Sequence, residues 1–212
     1  MTEWVALLRG INVGGVNIKS AELAGLFRES GFDAVKTVLA TGNVLFSSPE
    51  EAGDTARAGG LRARLEELLS ERFGYEARVV LEPRARIAGV AAAYPYAESA
   101  AHHAYVVFGS DPGALAALLD DAAGRGLSVD APAADREGVR ASDALDRGSA
   151  GPIPGPMPVA EGTERVSAGE GVLYWACPRG SSTDTPFSKL TAAARHKPSL
   201  TTRNLNTVRK LL

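Results

Sequence analysis

A glycine-rich loop near the start of the chain has the composition of an anion-binding site. The segment Gly10-Ile-Asn-Val-Gly-Gly-Val-Asn17 follows a short apolar run and precedes a helical pattern. A strand, a glycine loop and a helix N-terminus can together present backbone N–H groups to a phosphate. The alternative is a tight connection between strand and helix that needs glycine dihedral angles. The ligand-binding residues that we predict in this region are Arg9, Asn12, Gly14, Gly15 and Lys19.

Two well-known phosphate motifs do not fit this loop. Gly10 and Gly15 have the glycine spacing of a P-loop, but Val16-Asn17 follow where Lys and Ser or Thr are needed. The dinucleotide fingerprint requires a second glycine at the position of Asn12. Phosphate binding here would therefore rest on backbone N–H groups, with Lys19 supplying positive charge.

Polar residues elsewhere extend the predicted ligand-binding surface. Thr41-Gly42-Asn43 has the composition of a hairpin turn, and the alternative is that Thr41 and Asn43 face the same cleft as Asn12. Near the other end of the chain, amide and cationic side chains could bind one anion or one base edge, although asparagine near a helix start often bonds the local backbone. From these segments we add Asn43, Lys189, Arg203, Asn204 and Lys210 to the predicted site.

The sequence does not define a catalytic centre. Lys189 or Arg203 could stabilise an oxyanion, but no general base stands out. Cys177 ends an apolar run, so we interpret it as a buried structural thiol rather than a nucleophile. His102 and His103 are adjacent and precede a predicted strand, and they should point to opposite faces. We predict neither a metal site nor a cofactor.

Composition restricts the protein class. The formal charge of −2 over 212 residues argues against a protein that is basic throughout, without excluding a local basic patch. One cysteine forms no internal disulfide, which favours a reduced, cytoplasmic protein. We recognise neither a signal peptide nor an apolar run long enough to cross a membrane.

Apolar spacing predicts an α+β protein with a ferredoxin-like first half. Residues 1–82 show the order βαββαβ, with an antiparallel sheet and both helices on one face. We predict a second, modified α+β half over residues 83–212. It contains a Pro- and Gly-rich loop at 124–162 and a C-terminal helix at 202–211, with a short helix within 136–145 as an alternative inside the loop.

Four short motifs occur in an order that resembles a known bacterial family, domain of unknown function 1697. They are Leu7-Leu-Arg-Gly-Ile-Asn-Val-Gly-Gly15, Thr41-Gly-Asn-Val-Leu-Phe46, Ser188-Lys-Leu-Thr191 and Thr202-Arg-Asn-Leu-Asn-Thr207. The resemblance implies a ferredoxin-like N-terminal half and a related C-terminal half, and it implies no activity. Val16 stands where the family commonly has lysine, and Leu205 where it commonly has an aromatic residue.

These observations lead to a first hypothesis with two alternatives. The first is a binding module for a phosphate-bearing small molecule, such as a nucleotide, or for nucleic acid, at a polar cleft between the two halves. The second is an enzyme without a cofactor that uses Lys189 or Arg203. The third is a protein-interaction module in which the polar motifs serve as caps and turns.

Overall fold

The computed structural model describes residues 1–12, 16–40, 42–51, 55–132 and 155–212, with the side chains of 55–57 left aside. The protein is α+β. Its first elements are β1 (Thr2–Arg9), α1 (Ser20–Glu29), β2 (Asp33–Thr37), β3 (Asn43–Ser48), α2 (Thr55–Phe73) and β4 (Arg78–Pro83). The next are α3 (Arg84–Ala92), β5 (His102–Gly109), α4 (Pro112–Gly124), β6 (Val129–Asp130), β7 (Arg165–Gly169) and β8 (Val172–Pro178). The last are α5 (Pro186–Thr191), β9 (Leu200–Asn204) and α6 (Leu205–Arg209).

The chain forms two compact units, and neither is a continuous stretch of sequence. The first comprises Met1–Gly89, Pro198–Thr201 and Asn206–Leu212, and the second comprises Val90–Lys197 and Thr202–Leu205. The division that we predict between residues 82 and 83 stays a prediction. No helix within the described ranges is long and apolar enough to cross a membrane.

The sheet of the first unit has the strand order β2-β3-β1-β4 with antiparallel pairing throughout. Side chains alternate across β1, so Trp4, Ala6 and Leu8 lie on one face. These three belong to a single buried cluster with residues of α1 and α2, so both helices pack against that face. The opposite-facing Val5 and Leu7 are also fully buried, which explains why the β1 sequence is a continuous apolar run.

Aromatic rings fill the centre of this cluster. Phe46 of β3 lies edge-on to Phe27 of α1 and to Phe32, with ring centroids 5.3 Å and 5.0 Å apart. Edge-to-face aromatic pairs of this kind add about 0.5–1.5 kcal/mol each beyond the burial of their apolar area. Helix α1 is therefore held rigidly against the sheet, which fixes the position of its N-terminus.

The sheet of the second unit has the order β6-β7-β8-β5-β9. The pairs β7–β8 and β5–β8 are antiparallel, whereas β6 runs parallel to β7. Strands β7 and β8 follow one another closely in sequence and form a hairpin. Within the predicted Pro- and Gly-rich loop at 124–162, Val129–Asp130 forms the short strand β6. Residues 133–154, which include the alternative helix within 136–145, lie outside the described residues, so the loop stays a prediction.

The C-terminal helix is shorter than predicted. Instead of one helix over 202–211, β9 continues to Asn204 and α6 spans Leu205–Arg209. Adjacent β-branched residues Thr201 and Thr202 favour a strand. Because the helix ends early, Leu211 is buried while Leu212 is 51% exposed.

The N-caps of two helices set the positions of the predicted site residues Lys19 and Lys189. Helix α1 has Lys19, not Ser20, at its N-cap. Helix α5 begins two residues before Ser188, because Pro186 suits a first helical turn and Thr185 supplies the cap. The Thr185 hydroxyl oxygen accepts a hydrogen bond from the Ser188 N–H at 3.1 Å. Lys189 therefore lies in the last turn of a six-residue helix, where the helix dipole favours a cation.

Candidate functional site

The loop after β1 and the turn before β3 lie at the same end of the first sheet. Antiparallel pairing sets Leu7 opposite Asn43, and the Leu8 N–H donates to the Gly42 carbonyl oxygen at 2.7 Å. We call this end, made of residues 10–12, 16–19, 38–40 and 42–43, the loop end. The sequence left open whether the two segments share one end, and the strand register answers that question.

Asn12 joins the two segments of the loop end. Its side-chain oxygen accepts from the Ile18 N–H at 3.0 Å, and its side-chain nitrogen donates to the Ala40 carbonyl oxygen. The backbone of Asn12 is left-handed, with φ of 56°, a conformation that asparagine tolerates better than most residues. The amide of Asn12 is therefore engaged at both ends in shaping the loop, although the residue is exposed.

Asn43 is fully buried and serves the adjacent turn. Its side-chain nitrogen donates to the Val38 carbonyl oxygen at 2.9 Å, and the Val38 N–H donates to the Asn43 carbonyl oxygen at 2.9 Å. Gly42 has φ of 72°, and a Cβ there would lie 2.7 Å from Ile11 Cδ1. The Gly-Asn pair therefore closes the turn tightly against the loop after β1. Gly14, Gly15 and Thr41 lie outside the described residues.

Helix α1 begins at the loop end without a side-chain cap. Lys19 occupies the N-cap with φ of −72° and ψ of 141°, and its side chain makes no capping hydrogen bond. Asp111 caps α4 and Thr185 caps α5 through side-chain oxygens. The first N–H groups of a helix have no partner within the helix. At α1 the exposed Lys19 side chain has no acceptor to offer these N–H groups.

An apolar side chain is exposed at the loop end. Leu39 is 44% exposed and adopts φ of 60°, a left-handed conformation that is strained for leucine. Such strain costs of order 1–3 kcal/mol and is often found at functional sites. The predicted site does not include Leu39, since no sequence pattern marks a leucine for positive φ.

Tyr75 and Arg9 have structural contacts near the same end. The Tyr75 ring lies 3.8 Å from the position that a Cβ would take on Gly10. Burial, assisted by the charge of Glu66, raises the pKa of Tyr75 to about 12. The Arg9 guanidinium donates to the Leu200 carbonyl oxygen, and burial lowers the pKa of Arg9. Arg9 thus anchors the segment 198–201 within the first unit.

The remaining predicted site residues are distributed over both units. Lys210 belongs to the first unit, whereas Lys189, Arg203 and Asn204 belong to the second. Lys189 and Lys210 are exposed, and Arg203 donates from Nη1 to the Thr202 carbonyl oxygen at 3.1 Å. We predict that these four residues converge on one cleft with the site residues near the start of the chain, and this stays a prediction.

In the second unit, side chains of types that often act in catalysis or binding are buried and have structural roles. Cys177 is fully buried, as predicted, and burial raises the pKa of its thiol to about 11. His102 is buried and bonds the Thr163 carbonyl oxygen at 3.0 Å. Trp175 and Tyr174 are both buried, so neither lines a cleft. Within the part of the chain that the structure describes, no three His, Cys, Asp or Glu side chains form a group able to hold a metal.

Contacts of the half-buried Glu164 explain the position of α5 without invoking a ligand. One carboxylate oxygen of Glu164 accepts from Trp175 Nε1 at 3.1 Å, and the other accepts from the Phe187 N–H at 3.0 Å. The Trp175 ring also stacks on Tyr105 with centroids 5.1 Å apart. Glu164 therefore ties the helix that carries Lys189 to the sheet of the second unit.

A protein-family model that matches the first part of the chain identifies its family. A family model described as protein of unknown function (DUF1697) matches residues 1–131. The chain belongs to the DUF1697 family. The resemblance inferred from the four motifs is thereby confirmed, and the DUF1697 description names no activity.

A solved structure shares the fold of this DUF1697 protein. It is described as the structure of conserved bacterial protein SP0830 from Streptococcus pneumoniae. The two chains are 20% identical with a TM-score of 0.62, over 100% of this chain and 96% of that chain. At this identity the similarity concerns the fold alone. No curated protein matches the chain.

Proposed function

We propose that this DUF1697 protein is a binding module for a phosphate-bearing ligand, and that the start of α1 is its anion-binding element. The single observation that carries the proposal is the uncapped N-terminus of α1 beside exposed Lys19. Backbone N–H groups at a helix N-terminus and the helix dipole both favour an anion. Helix α1 is ten residues long and is packed through buried Phe27, so its dipole and its N–H groups have fixed directions.

Leu39 favours a nucleotide over a bare phosphate. It lies on the turn to which Asn12 is bonded through the Ala40 carbonyl oxygen. An exposed leucine held in a strained conformation offers an apolar contact for a nucleobase or another flat ring. We therefore infer a bipartite ligand, with its phosphate at the start of α1 and its apolar part against Leu39.

The proposed cleft between the two halves adds a second set of charges. Lys189, Arg203, Asn204 and Lys210 would complete the site if the two groups converge as predicted. Arg203 offers guanidinium N–H donors in a planar fork that suits phosphate. A nucleic-acid ligand would be bound mainly through its backbone charge, and its affinity would fall with added salt.

The proposal is tested by titrating ATP and inorganic phosphate while recording backbone amide NMR resonances. We expect ATP to shift the amide resonances of residues 20–22, which open α1. Lys19→Gln should weaken ATP binding at least about threefold, because a cation beside a helix-bound phosphate adds of order 1 kcal/mol. Lys36→Gln is the matched control, since Lys36 is also an exposed lysine, on β2, and its change should leave the affinity unaltered.

Leu39→Ala separates the two parts of the proposed ligand. It should weaken ATP binding and leave the binding of inorganic phosphate unchanged. Single-stranded DNA at low salt provides the nucleic-acid arm of the experiment. If neither ATP, phosphate nor DNA moves the resonances of residues 20–22, the proposed function is wrong.

We further propose that the first unit is ferredoxin-like and that the protein works in the bacterial cytoplasm. The order βαββαβ, the four-stranded antiparallel sheet and the packing of both helices on one face support this fold class. The enzyme alternative, with Lys189 or Arg203 as oxyanion stabiliser, gains no support from a neighbouring general base.

A further inference from the structure

A serine and a histidine form a hydrogen-bonded pair in the second unit, whereas the loop end belongs to the first. Ser99 Oγ lies 3.1 Å from His102 Nδ1, and His102 Nε2 lies 3.0 Å from the Thr163 carbonyl oxygen. Ser99 is exposed, whereas His102 is only 7% exposed. The pair therefore joins an accessible hydroxyl to a buried imidazole ring.

The contact with Thr163 fixes the tautomer of His102. A carbonyl oxygen can only accept a hydrogen bond, so Nε2 carries the proton of the neutral ring. Nδ1 is then an unprotonated acceptor, and the Ser99 hydroxyl donates to it. A histidine that is oriented by a third group and bonded to a hydroxyl is the arrangement that activates a serine nucleophile. The contact that holds the ring in the fold thus also leaves its basic nitrogen facing Ser99.

The Ser99 oxygen keeps lone pairs for a further interaction. In the ranges that the structure describes, the Ser99 hydroxyl and the two ring nitrogens of His102 have no partners besides those already named. The hydroxyl proton points to the ring, so the lone pairs of Oγ are unoccupied, and the exposure of Ser99 opens them to solvent. An oxygen in this state can attack an electrophile that approaches from the solvent side.

Backbone hydrogen bonds hold the segment that carries Ser99. Before it, the Ala97 N–H donates to the Met157 carbonyl oxygen at 2.8 Å, and the Met157 N–H donates to the Pro95 carbonyl oxygen at 2.8 Å. After it, His102 begins β5, the strand that pairs with β8. The hydroxyl and the ring are therefore held at a fixed distance, as a catalytic pair requires.

The charges near the pair favour a neutral or cationic substrate. Glu98 and Glu161 are exposed and lie in the same two loops as the serine and the carbonyl group. Burial, and then the charge of Arg179, lower the pKa of His103, so this cation acts on the neighbouring histidine. Successive residues of a strand face opposite sides, and His103 therefore points away from His102. An anionic ester would be repelled by the two carboxylates, whereas a neutral or cationic one would not.

We propose that Ser99 is the nucleophile, and His102 the general base, of an esterase site for neutral or cationic carboxylic esters. Ser99 Oγ bonds to the ester carbonyl carbon while its proton passes to His102 Nδ1. The bond from that carbon to the leaving alkoxide breaks, and the alkoxide takes the proton from Nδ1, which leaves an acyl group on Ser99. A water oxygen then bonds to the acyl carbon and gives a proton to Nδ1. Ser99 Oγ leaves and takes that proton back, and the carboxylic acid is released.

The group that orients the ring sets the rate that this site can reach. In serine proteases a carboxylate holds the histidine and stabilises the imidazolium that forms. Here a neutral carbonyl oxygen has that position, so the imidazolium is stabilised less. We therefore expect slow turnover, and an ester with a good leaving group is the suitable probe.

p-Nitrophenyl acetate tests the proposal on the intact protein. We expect steady release of p-nitrophenolate above the spontaneous rate, and Ser99→Ala should abolish it. His102→Gln should lower it at least about hundredfold, because general base catalysis contributes about 10²–10⁴-fold. The glutamine Nε2 can still donate to the Thr163 carbonyl oxygen, so this variant keeps the contact and loses the base. Phenylmethanesulfonyl fluoride should stop turnover, with loss of fluoride, and peptide mass spectrometry should find its sulfonyl group on Ser99.

Matched variants and a charged ester serve as controls. Ser182→Ala removes another exposed serine of the second unit, and His103→Gln removes the adjacent histidine, so neither should alter the rate. Mono-p-nitrophenyl succinate carries a negative charge and should react up to about fivefold more slowly than the acetate. Long-range ¹H–¹⁵N spectra should show the neutral His102 ring protonated at Nε2.

Four results would overturn the proposal. The first is turnover that is absent or that Ser99→Ala leaves unchanged. The second is full turnover in a His102→Gln protein whose spectra show an intact fold. The third is a neutral ring with its proton on Nδ1, and the fourth is equal turnover of the acetate and the succinate. None of these results bears on ATP binding at α1, because α1 lies in the first unit and the pair in the second.

Discussion

Replacement of Asn12 tests whether its amide and its left-handed backbone together organise the loop end. The amide makes two hydrogen bonds, to the Ile18 N–H and to the Ala40 carbonyl oxygen. Each is worth about 0.5–1.5 kcal/mol net, so Asn12→Gly should lower the free energy of unfolding by about 1–3 kcal/mol. Asn12→Ala loses the same bonds and adds a left-handed strain of about 1–2 kcal/mol at φ of 56°.

The ordering of the two variants is the critical result. Part of the difference is offset because glycine makes the unfolded chain more flexible by about 0.4–1 kcal/mol. Asn12→Ala should still be the less stable by about 1 kcal/mol, measured as a lower urea midpoint at an unchanged slope. Equal midpoints would show that the backbone conformation is not strained, and a wild-type midpoint for both would show that the two hydrogen bonds contribute nothing.

Three further predictions concern single side chains. Gly42→Ala should lower the thermal midpoint, because its Cβ would meet Ile11 at 2.7 Å, whereas Gly59→Ala, with open space and a helical backbone, should raise stability by about 0.5–1 kcal/mol. Tyr75→Phe should leave stability unchanged or raise it by about 1 kcal/mol, since it removes a buried hydroxyl without a described partner. The free energy of unfolding of the wild type should also fall relative to that of Tyr75→Phe as pH rises from 10 to about 12, because the folded state holds the Tyr75 proton more tightly than the unfolded state does. A difference in urea midpoint between the two proteins that stays constant over this pH range would refute this. Glu164→Ala should cost about 2–3 kcal/mol through the lost bonds to Trp175 and to the start of α5, and an unchanged Trp175 indole resonance would contradict it.

Local patterns were sufficient to predict much of the first unit. The continuous apolar run of β1 indicates a strand buried on both faces, and Val5 and Leu7 are indeed buried with Ala6. The glycine-asparagine pair before Val44 indicates a turn, because few other residues accept such a backbone. These signals are local, so they need no knowledge of what packs against them.

Predictions that depended on distant partners were less accurate. Asn43 has the amide of a ligand-binding residue, yet strand pairing places it in the interior with the Val38 carbonyl oxygen as its partner. Thr202 and Arg203 lie in a strand beside β5, although their spacing with Leu205 and Val208 also suits a helix.

The first unit combines residues from early and late in the sequence, so its parts are synthesised at different times. Residues 198–201 and 206–212 complete a unit whose other residues end at Gly89. At translation rates of roughly 5–20 residues per second, residues 1–89 are synthesised on the order of ten seconds before residues 198–212. During that interval Arg9 and Arg84 lack the carbonyl oxygens of Leu200, Leu211 and Leu212 that they later bind. The early part of the first unit therefore lacks these anchoring contacts until residues 198–212 have been synthesised.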